Sequence, residues 1–141
     1  MATTTATFTL SSSDLLSTQA LSVSTTNTLY KAGATTGLDQ VRMGRNEIPT
    51  GTSFDLLDGT TAAIDKSNHV YIANKSTDAT YYVTIVIDTK TIGRLYANDW
   101  MYMPWNVDDA THDLEVTATN GTNIIEWMCI HEGETLGTQA D

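Results

Sequence analysis

The residue types best suited to chemistry stand together in the hexapeptide CIHEGE, residues 129–134. On an extended strand Cys129 and His131 share a face, Glu132 takes the other, and Glu134 follows beyond. A thiol and an imidazole on one face offer either a nucleophile with its base or two metal ligands. Nucleophilic use needs a third group to orient the base and donors to hold an oxyanion, and the sequence supplies neither. A structural zinc site needs four ligands, and the spacing of the other two histidines, His69 and His112, does not tie them to this pair. The expectation is a buried thiol acting as a small apolar side chain, with a histidine at the strand end.

Asp108, Asp109, His112 and Asp113 make an acidic loop, NVDDATHD. Paired carboxylates hold calcium or move protons, but the D-x-D-x-D-G spacing is missing, and aspartates are common turn formers between strands. The segments GATTG and GRNEIPTG contain glycines without the spacing of either phosphate-cradling loop. No catalytic residue, cofactor site or metal site is assigned, and the chain is read as a non-enzyme.

The composition explains what must position these residues. Threonine makes up about a fifth of the 141 residues, well above ordinary usage. Its branched β-carbon disfavours helix and packs well on a pleated sheet. A net charge of −10 with seven Lys and Arg, none in a run, argues against a nucleic-acid partner. No stretch approaches the roughly 20 apolar residues of a membrane helix, so no membrane partner is expected. The start, MATTTATFTLSSSD, has neither the basic nor the apolar part of a signal peptide. A single cysteine forms no intrachain disulfide. Asn74-Lys75-Ser76 and Asn120-Gly121-Thr122 match the glycosylation pattern and are read as turn sequences.

Strand-like runs occupy 4–10, 20–32, 69–74, 80–88, 90–97, 99–105, 113–119 and 123–131, punctuated by turn signals such as Asp88-Thr89, Asn98-Asp99 and Asn120-Gly121. SSSDLLS (11–17) reads as a capped helical turn, and 33–52 as an extended loop with one short strand at 40–43. The expected fold is all-β: an antiparallel β-sandwich or jelly-roll-like barrel with an extended N-terminal arm. A single domain spans 1–141, with an arm region over 1–60, the main sheets over 64–133 and a polar tail over 134–141.

The sequence DWMYMPW raises a separate question. Trp100, Tyr102 and Pro104 point one way along a strand while Met101, Met103 and Trp105 point the other. Both faces are apolar, so both need covering. Pro104 cannot donate to a ladder, which puts the strand at an edge or ends it there. One cover is the core; the other is a partner, a glycan or the chain's own arm. The contact residues expected are Trp100, Met101, Tyr102, Met103 and Trp105, with Arg42, Arg45 and Ile48 from the arm region.

From HVYIANKSTDATYYVTIVIDTKTIGRLYANDWMYMPW to DLEVTATNGTNIIEWMCIHE, the chain resembles small virion structural proteins of tailed bacteriophages, particularly of marine and cyanobacterial hosts. SSSDLLSTQALSVSTTNTL is similar to the start of such proteins, and the likeness covers half to two-thirds of the chain. It implies a non-enzymatic component of the virion. A capsid decoration or cement protein would bind the major capsid protein, as a homo-oligomer (trimer or dimer). A tail, neck or fibre component with a carbohydrate-binding sandwich is the alternative.

Overall fold

The computed structural model describes residues 4–29, 38, 40–59, 66–107 and 113–132. Among them are ten strands: β1 (Thr4–Ser12), β2 (Leu21–Leu29), β3 (Gln40–Ile48), β4 (Thr52–Leu57), β5 (Asn68–Asn74), β6 (Tyr82–Ile87), β7 (Lys90–Tyr96), β8 (Trp100–Pro104), β9 (Leu114–Asn120) and β10 (Asn123–His131). Two four-stranded sheets have the orders β3-β10-β5-β8 and β4-β9-β6-β7, and β1 pairs with β2 as a separate ribbon. Every pairing is antiparallel.

The order has a simple logic. β3 pairs with β10, β4 with β9, β5 with β8 and β6 with β7, so β3 to β6 form one arm of a long hairpin and β7 to β10 the other. That hairpin is rolled so that its strand pairs alternate between two sheets. The protein is therefore an all-β antiparallel jelly roll, with the β1–β2 ribbon attached at its N-terminal side. The roll turns back at Asp88-Thr89, whose φ values of 47° and 65° suit the primed turns that match strand twist. At the β9–β10 turn Gly121 has φ 73°, and a Cβ there would lie 2.4 Å from the Tyr81 ring, so only glycine fits.

Alternation builds the core. Val70 and Ile72 from β5, Val83 and Ile85 from β6, Leu114, Val116 and Ala118 from β9, and Ile125 and Cys129 from β10 meet between the sheets. Ile48, Leu56, Leu57, Leu95, Trp105 and Val107 complete the cluster. At one end Asn74 binds the layers together. Its Nδ2 donates to Leu95 O of the opposite sheet and to Asn123 Oδ1, while its Oδ1 accepts from the Ser76 amide and hydroxyl. The first glycosylation-like triplet is thus a buried structural hub, with Asn74 wholly inaccessible.

Two expectations are corrected. SSSDLLS makes bends rather than a helical turn, because the Ser12 hydroxyl accepts from the Asp14 and Leu15 amides and closes the β1–β2 connection locally. The described part of the expected loop over 33–52 is mostly strand: β3 runs the full length Gln40–Ile48, beyond the short strand at 40–43, and β4 begins at Thr52. β3 lacks an apolar alternation because its inward positions are Gln40, Arg42, Gly44, Asn46 and Ile48. Nine residues of register with β10 hold it instead. The bulk missing at Gly44 comes from Trp127, whose ring would lie 2.8 Å from a Cβ there and whose Nε1 donates to Asn46 Oδ1.

Candidate interaction surface

The registers of β3, β10, β5 and β8 generate the outer face of one sheet row by row. Val41, Ile130, His69 and Pro104 form one row; Met43, Met128, Tyr71 and Tyr102 the next; Arg45, Glu126, Ala73 and Trp100 the third. Neighbours in a row contact across the strands, so a period-2 pattern in four separate segments becomes one apolar, aromatic surface. Val41, Met43, Trp100 and Tyr102 are exposed, Met43 at 62 % and Trp100 at 51 %. β8 is an edge strand, paired only with β5 among the described residues, and Pro104 is its last residue.

Two pairs order the aromatic end. Tyr102 stacks on His69 with centroids 5.7 Å apart, and its hydroxyl lies 2.8 Å from His69 Nδ1. Burial pulls His69 below the ordinary histidine range and pushes the Tyr102 phenol up. Both directions favour neutral partners, which share one hydrogen bond between the phenol oxygen and Nδ1. Trp100 tilts against Tyr71 at 6.2 Å. The only charges in these rows, Arg45 and Glu126, neutralise one another in an ion pair.

The opposite outer face differs in kind. Asp55 and Glu115 are cross-strand partners, and with Asp113 their carboxylates lie within 4.8 Å of one another. Desolvation raises both Asp55 and Glu115, and the neighbouring carboxylates raise them further. Among the described residues this carboxylate cluster marks the β4–β9 side, while the outer face of the other sheet carries Glu47 beside the Arg45–Glu126 pair.

The contact residues expected from sequence divide between the two faces. Trp100 and Tyr102 are on the outer surface, as is Arg45. Met101 and Met103 pack inward against the core, and Trp105, 2 % exposed, lies within it. The pleat that turns Trp100 outward turns the parity of these three inward. Ile48 is also fully buried in the core. Arg42 faces inward as the cross-strand partner of Cys129, with its Nε and Nη2 buried and unbonded. Sequence reading missed His69 and Tyr71 as members of this face, although the outward parity of HVYIAN carries them.

The thiol and imidazole of CIHEGE share the inner face, as expected. Burial pushes the Cys129 thiol up to about 11, against a smaller downward pull from Arg42, so it is protonated at neutral pH. His131 Nδ1–H donates to Glu132 O at 2.9 Å. His69 sits on the opposite face of the sheet and cannot join this pair as a ligand. Glu132 accepts from the Ser67 amide and closes the end of β10. Asp108, Asp109, His112, Glu134 and the segment 133–141 lie outside the described residues.

No family model and no curated protein matches the chain. Among solved structures it is similar to a cupin protein from Bacteroides fragilis, at 21 % identity over 72 % of this chain and 75 % of that one, with a TM-score of 0.37.

Proposed function

We propose that this protein is a non-enzymatic structural component of a virus particle that decorates and stabilises the capsid by binding the major capsid protein. The observation that carries the reading is the neutral aromatic strip of Tyr71, Trp100 and Tyr102 at β5 and β8, which shares a groove with the β1–β2 ribbon and leaves Trp100 half exposed. Buried aromatics dominate the energy of protein contacts when a partner excludes water around them. The strip itself carries no charge, and the Asp55–Asp113–Glu115 cluster lies on the other sheet, which suits the strip to docking. The resemblance of residues 69–132 to phage virion proteins supports the same reading and supplies the class of partner.

The test is made on particles. Quantitative mass spectrometry would give a copy number that is a simple fraction of the major capsid protein. Trp100→Ala with Tyr102→Ala would reduce retention on the shell while the isolated chain stays folded. Absence from purified particles would overturn the proposal. A second reading, a tail, neck or fibre component that binds carbohydrate, draws on a groove of about 400 Å³ between Tyr71, Trp100 and Tyr102 and the β1–β2 ribbon residues Ala6, Phe8 and Leu29, since aromatic rings stack on sugars. A few copies per particle together with glycan-array binding lost in Trp100→Ala would favour it.

A further inference from the structure

Two strong donors on the inner face of the β3-β10-β5-β8 sheet are buried with nothing to bond. Arg42 stands at an inward position of β3, opposite Cys129 of β10, and its Nε and Nη2 have no hydrogen-bond partner among the described residues. These two nitrogens form one edge of the planar guanidinium. Their N–H bonds run side by side, the fork that grips both oxygens of a carboxylate. Arginine keeps its charge throughout the range in which proteins fold, and a buried charge is retained where a counter-charge or hydrogen bonds meet it. The unbonded fork therefore points to an oxyanion.

The surrounding side chains supply no anion of their own. The inward positions around Arg42 are Gln40 and Gly44 on β3, Cys129 and His131 on β10, and Asn68 and Val70 on β5, none of them acidic. Arg45–Glu126, on the outer face, is the one ion pair among the described residues. The buried carboxylate of Glu132, at the end of β10, accepts from the Ser67 amide. The Cys129 thiol is no counter-ion either, because burial pushes it up to about 11 and keeps it protonated. The register also sets what lies beside the fork. Arg42, Cys129, Val70 and Met103 follow one another across the strands, so the charged end of the row passes directly into apolar side chains.

We propose that Arg42 anchors a binding site for a small monocarboxylate on the inner side of this sheet, with the carboxylate on Nε and Nη2 and the hydrocarbon part directed along the Cys129–Val70 row. One guanidinium neutralises one negative charge, and the row continues into apolar side chains rather than further donors. Both facts select a singly charged, amphiphilic acid over a phosphate, whose higher charge and polar oxygens on every side call for more donors than one fork. The site is separate from the aromatic strip, because the pleat puts Arg42 and Trp100 on opposite faces of the same sheet. It therefore does not rest on the particle reading.

Nuclear magnetic resonance of the full chain labelled with nitrogen-15 tests it, because only three arginines, Arg42, Arg45 and Arg94, give Nε–H signals. Arg45→Lys and Arg94→Lys, at exposed positions, each remove one signal and so assign the third to Arg42. On titration with sodium butyrate the Arg42 signal is expected to move and saturate, while the other two change no more than in sodium chloride. Arg42→Lys keeps the charge and loses the fork. It is expected to weaken butyrate binding by about tenfold or more, read as loss of the rise in melting temperature that butyrate gives the wild type. If Arg42→Lys fails to fold, the wild-type titration alone decides. An Arg42 signal that butyrate leaves unmoved, equal shifts at all three arginines, or unchanged butyrate binding in Arg42→Lys would overturn the proposal. Inorganic phosphate binding more tightly than butyrate at the Arg42 signal would overturn the ligand class.

Discussion

Trp100 and Trp105 are five residues apart and meet opposite environments, so truncating each in turn separates a surface strip from a core. Trp105 is in the core cluster and its amide donates to Asn68 O at 2.8 Å. Trp105→Ala keeps that backbone bond and removes the whole indole from between the sheets. Such truncations cost about 3–5 kcal/mol, because a close-packed surround collapses only partly into the void. At about 0.05–0.15 kcal/mol per residue a chain of this length has a total stability of about 7–20 kcal/mol, so the loss is a large share of it. Trp100 is half covered and tilts against Tyr71. Half of an indole's ~200 Å² is about 100 Å², which at ~25 cal/mol per Å² sets a ceiling of about 2.5 kcal/mol. The β-carbon that remains and the compactness of the unfolded chain lower this to about 1 kcal/mol. Urea titration followed by far-UV circular dichroism measures both, in dilute protein where the variants share one association state. With a slope of about 2 kcal/mol per molar urea, the midpoint should fall by roughly 2 M for Trp105→Ala and by about 0.5 M for Trp100→Ala. Equal shifts, or a larger one for Trp100→Ala, would refute the division of the two faces.

Asn74→Ala should cost about 3 kcal/mol in the same titration, since it leaves Leu95 O, Asn123 Oδ1 and the Ser76 amide buried with a partner lost; a change below about 1 kcal/mol would show that the hub does not join the sheets. Glu115→Gln should stabilise the protein at neutral pH by about 0.5–1 kcal/mol at low salt, by relieving repulsion from Asp55 and Asp113. Asp55 and Glu115 have folded pKa values above their unfolded ones, so the folded state binds protons more readily. Their repulsion destabilises the fold above the folded pKa and fades as pH falls towards the ordinary carboxylate range. Melting temperatures of the wild type and Glu115→Gln should therefore converge on acidification; a gap that stays constant with pH would count against this account.

The sequence by itself determined the class of fold and most of its strands. Threonine content, period-2 runs and turn pairs such as Asp88-Thr89 and Asn120-Gly121 are local properties, and the strands and turns they indicate are the ones observed. The edge position of β8 was also legible, because Pro104 removes a donor whatever surrounds it. β3 was legible only over 40–43 and β4 not at all, since the inward residues of β3 before Ile48 are polar or glycine and its register comes from β10, more than seventy residues later in the chain. Sequence also showed that DWMYMPW has two apolar faces, but not which one is buried. That depends on which strand pairs with β8 and on which side the second sheet lies. Pairing with β5 placed Trp100 and Tyr102 beside Tyr71 and His69 on the outer surface and sent Met101, Met103 and Trp105 inward. The contiguous aromatic face and the carboxylate cluster on the other sheet are products of registers between distant segments. No window of sequence contains them, because side-chain neighbours in a sheet are set by non-local pairing rather than by adjacency along the chain.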